Sequence, residues 1–246
     1  VDATKDKLIR AAERLMAERG VETVTFAEIT KAAGQRNNSA VPYYFGDRLG
    51  LVRAVLEKHT VPIAEHRRRL LDDLGARPTL REVVVALVDP IAHEVRHGEG
   101  GDDYVRILAH LDSHPDLDPA ELGAGATPVT RRLNRMLVTA MPSLPGPVRQ
   151  LRLDLLVSVL FHGLAAQART LADPTVGERR KTLFLSNLVD TIEALLTAPV
   201  SATTAGALGR SGTRTAARGD RPRGATARRQ GISSVVPPSI TMTSPV

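Results

Sequence analysis

Along the first 198 residues apolar side chains recur every three or four positions, and nowhere do they alternate as in a half-buried strand; the pattern predicts helices throughout. Leu8, Ala11, Ala12, Leu15 and Met16 form one face of a helix over 4–19. Lys5, Lys7, Arg10, Arg14 and Arg19 lie outside that face, and Gly20 ends the helix. Thr25 followed by Glu28 is a capping box, in which each residue's side chain takes the other's orphan backbone N–H. Phe26, Ile29 and Ala33 then recur at helical spacing, and Gly34 supplies the left-handed backbone that closes this short helix. The polar run Gln35-Arg36-Asn37-Asn38-Ser39 makes a turn, and a second short helix carries Val41, Tyr43, Tyr44 and Phe45.

Helix, tight turn and helix is the arrangement that sets a second helix into the DNA major groove. The side chains suit that use. Asn37, Asn38 and Arg36 belong to types that hydrogen-bond base edges, each good bidentate pair giving roughly 1–3 kcal/mol of discrimination. Thr25, Ser39, Tyr43, Tyr44, Arg48 and again Arg36 are of types that hold phosphates and fix register, and Gln35 of the turn joins the candidate DNA contacts. The bland alternative is a polar corner between two core helices.

Residues 4–56 resemble the N-terminal domain of TetR-family transcriptional regulators. The resemblance rests on an ordered set: Gly20, then Thr25-Phe26-Ala27-Glu28-Ile29, Ala32-Ala33-Gly34, Tyr43-Tyr44-Phe45, Gly46-Asp47-Arg48, then Leu49 and Leu51. Two departures stand out. The turn carries one residue more than the commonest family pattern, and Pro42 stands where the family usually has Tyr or His. Proline inside a helix costs about 3 kcal/mol or more but is tolerated in the first turn. The recognition helix is therefore expected to be short and to start near Asn38 or Ser39.

Beyond Asp47 a helical pattern runs to about Leu74, with Pro62 expected to kink or split it. Thr79 and Glu82 form a second capping box, opening a helix through Val83, Val84, Leu87, Val88 and Ile91 that Pro90 interrupts. Gly98 and the Gly100-Gly101 pair end it. A helix over 102–112 follows, then a Pro- and Gly-rich loop over 113–126. Thr127-Pro128 starts a helix to about Met141. Two strongly apolar helices, 147–171 and 176–197, close the folded part. Both are apolar around more than one face, so they are either fully buried or an oligomer interface. After Pro199 the large apolar residues nearly vanish, and the tail is expected to be disordered.

The chain has 246 residues and a formal charge of +6, but seven arginines and one aspartate past residue 198 account for all of it. The folded part is neutral, so DNA binding must rest on local placement, for which Lys31, Arg36 and Arg48 offer a small positive stripe. The tail is either dispensable or, through its arginines, a source of sequence-independent affinity. There is no cysteine, which fits a reducing cytoplasm. The first residues show no signal peptide, and the longest apolar run, about 155–168, is too short to cross a membrane and contains His162.

One motif points to other chemistry. His93-Glu94-Val95-Arg96-His97 matches the zinc-hydrolase pattern, two histidines one turn apart with a glutamate as base, and Gly100 and Asp103 fall where some such enzymes place a turn and a third ligand. The alternative function is thus a zinc-dependent hydrolase or a metal-sensing protein holding the ion with His93 and His97. No nucleophile elbow, P-loop or dinucleotide fingerprint is present, and no cofactor is expected.

The expected fold is all-α: a three-helix DNA-binding domain over 1–48, a larger helical ligand-binding and dimerisation domain over 49–198, and an Arg-rich tail over 199–246. The resemblance implies a homodimeric repressor, not an enzyme, that binds a palindromic double-stranded operator and responds to a small-molecule effector. It places dimerisation on the last two long helices, with Leu155, Leu156, Val159, Leu188 and Ile192 as candidates. Tyr104, His110, Phe161 and His162 are the candidate effector contacts, as polar or aromatic positions on otherwise aliphatic helices.

Overall fold

The computed structural model describes residues 3–37, 39–117, 122, 127–141 and 143–209. They are helical, with no strand among the described residues. The chain divides into two compact units, Val1–Pro199 and Val200–Val246. The first holds nine helices among its described residues: α1 (Ala3–Arg19), α2 (Phe26–Ala32), α3 (Ala40–Phe45), α4 (Arg48–Asp73), α5 (Leu80–His97), α6 (Gly101–Asp112), α7 (Pro128–Thr139), α8 (Gly146–Ala172) and α9 (Glu178–Thr197). In the second unit Ala202–Gly209 forms a short helix, α10, where the sequence pattern had suggested only disorder. The seven tail arginines all lie outside the described residues.

Helix starts follow the capping chemistry. Thr79 caps α5, its hydroxyl accepting the Glu82 N–H while the Glu82 carboxylate accepts the Thr79 N–H at 2.7 Å. Thr127 caps α7 with Pro128 at the first helical position. The two interior prolines break nothing: α4 runs through Pro62 and α5 through Pro90 as single helices. At Pro90 the reason is visible. Proline has no N–H, so the Ala86 carbonyl one turn back loses its helical donor. Arg67 of α4 fills the gap, with Nε donating to Ala86 O and Nη2 to Leu87 O at 3.2 Å each, while Nη1 reaches Thr130 Oγ1 at 3.1 Å.

α5 is the central helix. Val83, Val84, Ala86, Leu87, Val88, Ile91, Ala92 and Val95 are all buried, and α4, α6, α7, α8 and α9 pack around it. A helix apolar on most sides finds its place only inside. α6 lies against α8, and α8 against α9. On the other side α1 rests on both α4 and α6, so the first helix is anchored far from its neighbours in sequence.

α8 and α9 divide their apolar residues between two uses. Leu156, Leu188 and Ile192, expected at a subunit interface, are buried in the protomer's own core. Helical periodicity marks an apolar face but not which of two such faces turns inward. Leu155 is 55% exposed, Val159 is half-buried, and Leu151 and Leu183 are also exposed. By length and composition α8 is apolar enough to cross a bilayer, which the shorter run read from the sequence was not.

Candidate nucleic-acid interface

The capping box at α2 forms as expected. Thr25 Oγ1 accepts the Glu28 N–H, and Glu28 Oε2 accepts the Thr25 N–H and hydroxyl at 2.8 Å each. Arg19 Nη1 bonds the other carboxylate oxygen at 2.9 Å. The Thr25 backbone and side-chain bonds, with Arg19 helping, hold the Glu28 carboxyl down at about 2. Ile29 and Thr30 face the core, and Gly34 ends the helix at φ +67°.

The turn into α3 is shaped by Asn37, whose Oδ1 accepts the Ser39 N–H at 2.9 Å. Ser39 holds the N-cap position but makes no side-chain cap bond, so Asn37 orders this corner in its place. Half of the Asn37 carboxamide is therefore engaged with the chain itself. Arg36, Asn37 and Ser39 are exposed, while Gln35 is half-buried with its N–H on Thr30 O. Asn38 lies outside the described residues.

α3 has six residues and begins where Pro42 allows, in its first turn. Val41 is fully buried and anchors it. Tyr43 projects outward at 82% exposure, its ring edge-on to Tyr44 at 5.0 Å. Tyr44 and Phe45 are half-buried, and Lys5 of α1 lies 6.0 Å from the Phe45 ring centre. Asp47 then caps α4 by accepting the Gly50 N–H at 2.7 Å. A Cβ at Gly50 would run into the Phe45 carbonyl, so glycine lets α4 start hard against α3.

Arg48 makes contacts within the chain. Its Nη1 donates to the carbonyls of Val21 and Val24, both at 2.7 Å, and its guanidinium sits 5.6 Å from the Phe26 ring centre. It ties α4 to the α1–α2 connection. The exposed polar side chains of this corner thus include Thr25, Lys31, Arg36, Asn37, Ser39 and Tyr43, with Gln35 and Tyr44 partly covered beside them.

Two family comparisons match the chain: "Bacterial regulatory proteins, tetR family" over residues 8–55 and "Tetracyclin repressor-like, C-terminal domain" over residues 85–194. Together they take in more than half of it. The chain belongs to the TetR family. It is a transcriptional regulator with a helix-turn-helix DNA-binding domain, and α2 and α3 are the two helices of that motif. No curated protein matches the sequence at a significant level. Among solved structures, a TetR-family transcriptional regulator from Rhodococcus sp. is 15% identical with a TM-score of 0.51, covering 79% of this chain and 99% of that one. A second, from Mesorhizobium loti, is 15% identical with a TM-score of 0.41 and coverage of 80% and 97%. RolR in complex with resorcinol is 20% identical with a TM-score of 0.37 and coverage of 80% and 95%. At such identities the likeness concerns the fold.

In the C-terminal part of this TetR-family chain, the four candidate effector residues lie on α6 and α8, which pack together, and differ in burial. Tyr104 is buried and stacks on His59, with ring centres 4.7 Å apart. Burial pushes its phenol up to about 12. His110 is exposed and Phe161 half-buried. His162, half-exposed, bonds Ser113 Oγ at 3.2 Å and faces Asp112. No ring pairing or hydrogen bond joins these four among the described residues.

The zinc-like motif comes apart in space. His93 and His97 are exposed neighbours, 4.7 Å between ring centres, and His66 of α4 stands edge-on to His93. Glu94 points the other way, into the core, where His59 Nδ1 bonds its carboxylate at 2.7 Å. Asp103 pairs with Arg106 at 3.0 Å. Among the described residues no group of three or more His, Cys, Asp or Glu side chains is arranged to hold a metal ion.

His59, Glu13 and Arg67 were missed from the sequence, although each left a trace. Glu13 and His59 interrupt apolar faces, between Ala12 and Met16 in one case and Leu56 and Ile63 in the other, and Arg67 lies one turn after Ile63. A charged residue on the inward stripe of a helix must find a partner there.

Proposed function

We propose that this TetR-family chain is an effector-responsive homodimeric repressor that reads a palindromic operator with α3. The supporting observation is the corner itself: an inward Val41 holds a short helix whose outward face presents Ser39 and Tyr43 beside Arg36 and Asn37. On this reading Arg36, Ser39, Tyr43 and Tyr44 hold phosphates, while Asn37 and Asn38 meet base edges. Residues 1–48 serve as the DNA-binding domain, 49–198 as the dimerisation and effector domain, and 199–246 as an accessory tail, all in the cytoplasm. A six-residue helix reads few bases. Two such helices related by a two-fold axis read half-sites about 34–36 Å apart.

Leu151, Leu155 and Leu183, exposed on α8 and α9, supply an apolar face for the second copy. A small molecule within the C-terminal helices would favour a conformation that binds DNA poorly, and by linkage DNA would weaken that ligand by the same factor. Selection of binding sites from a random duplex pool tests the proposal. Enrichment of a palindrome is expected; enrichment of a single undivided site, or of none, would overturn the dimeric operator reading.

A further inference from the structure

Four charged side chains meet where α1, α4 and α5 come together. His59 of α4 is fully buried, and both of its ring nitrogens face carboxylates. Nε2 bonds Glu13 of α1, and Nδ1 bonds Glu94 of α5 at 2.7 Å. Glu13 also takes a bond from Lys58 Nζ at 2.6 Å. Tyr104 of α6 covers the imidazole face. The turn between α5 and α6 closes over both acids. A Cβ at Gly98 would strike the Glu94 carboxylate, and one at Gly100 the Glu13 carboxylate. Gly100 also has φ +82°, which favours glycine for a separate reason.

The chemistry of imidazole decides what this arrangement requires. A neutral ring has one N–H donor and one lone pair, whereas imidazolium donates from both nitrogens. Two carboxylates on opposite sides of one ring are both satisfied only by the cation. With the proton in place, Glu13, Glu94, Lys58 and His59 sum to zero charge. Without it, a lone pair faces a carboxylate and a net negative charge is buried, an arrangement that does not persist. The bond that gives way follows from the remaining partners. Glu13 keeps Lys58, while Glu94 makes its side-chain bond with His59. The remaining N–H stays with Glu94, and Glu13 lets go.

We propose that His59 is a protonation-gated joint between α1 and α5, holding both helices as imidazolium and releasing α1 when it loses its proton. Because α1 packs against α2 and carries the DNA-binding corner, operator affinity is then linked to pH. Burial by itself would lower the His59 pKa, but the bonds to Glu13 and Glu94 outweigh it and raise the value above 6.5. The joint's stabilisation is therefore complete below the unfolded value and is lost as pH rises through the higher folded one. The other charged groups nearby are Asp103 of α6, raised to about 6 by burial and by Asp102, its partner Arg106, Glu18 of α1, which acts on Asp103, and Arg67 of α4, which acts on Tyr104. Tyr104 stays neutral throughout this range.

Hydrogen exchange on the full-length protein tests the joint without DNA. Between about pH 6.5 and about pH 8.5, after correction for intrinsic rates, protection of α1 is expected to fall as His59 loses its proton. α8 and α9 should keep theirs. His59→Gln should remove the pH dependence. Glu13→Gln provides a variant of nearly unchanged shape: its amide donates to the neutral ring's lone pair, so α1 should remain protected at the higher pH. Asp103→Asn should behave as wild type. The proposal is overturned if wild-type α1 protection is flat with pH, or if Glu13→Gln loses protection as wild type does. Affinity for the duplex selected above, measured over the same range, should weaken as α1 loosens. Failure to select any duplex would count against the DNA reading and leave the exchange result to decide the joint.

Discussion

Arg67 makes to Ala86 the hydrogen bond that Pro90 cannot. A buried guanidinium on one helix and a proline on the next form one unit, although 23 residues separate them in sequence. Burial lowers the Arg67 pKa to about 10, so it remains a cation at neutral pH, held by two carbonyls and a threonine hydroxyl.

This pairing predicts a coupled loss of stability. Arg67→Met should cost about 1–3 kcal/mol in denaturant unfolding by leaving a buried carbonyl unpaired. In a Pro90→Ala background residue 90 regains its N–H, and the same Arg67 change should cost about 1 kcal/mol less. Simple additivity would show that the guanidinium does not answer the proline.

The cap at α2 predicts both a mutational and a pH effect. Thr25→Ala should destabilise the protein by about 1 kcal/mol, with no change in α8 or α9 protection. Glu28 has a folded pKa of about 2 against an ordinary 4.5, so its contribution is present above the unfolded value and is lost as pH falls toward about 2. Acid unfolding of Glu28→Gln should therefore lack part of the wild-type slope in that window.

The two arginines of the helix-turn-helix corner should behave differently from one another. Arg36→Ala should flatten the salt dependence of DNA binding by about 0.9 per lost phosphate contact while leaving the melting temperature unchanged. Arg48→Ala should lower the melting temperature, because the Val21 and Val24 carbonyls lose their donor. Equal effects from the two would show that Arg48 is not the internal tie described above.

Subunit pairing can be separated from folding. Leu155→Glu and Leu183→Glu alter exposed positions and should yield folded monomers by sedimentation. Ile192→Glu alters a fully buried one and should unfold the protomer. A dimer that survives both surface changes would place the interface elsewhere.

These contrasts mark what is legible in a sequence. The capping boxes at Thr25 and Thr79, the Gly34 helix end and the late start of α3 are local, set by residues within a turn of each other, and all stand as expected. The continuity of α5 through Pro90 depends on Arg67 across a helix–helix contact, which no local pattern carries. The same holds for Leu156, Leu188 and Ile192. Their spacing identifies them as apolar-face residues, but only packing shows that the face is an inner one. Glu94 is the clearest case. Its five-residue context suggests a metal site, while a histidine 35 positions earlier determines what it does.

α4 runs unbroken for 26 residues, about 39 Å at 1.5 Å per residue, and is stiff enough to serve as a lever. His59 sits roughly 16 Å from its Arg48 end, so a tilt of about 10° there carries that end, and the corner tied to it, about 3 Å. In the proposed two-fold dimer both corners would travel, and the spacing between them would change by up to twice that amount. DNA with fixed half-site spacing cannot follow. If the chain works as the dimer proposed above, a modest event near the middle of α4 would be converted into a mismatch of length, with no rearrangement of α3 itself needed to let go.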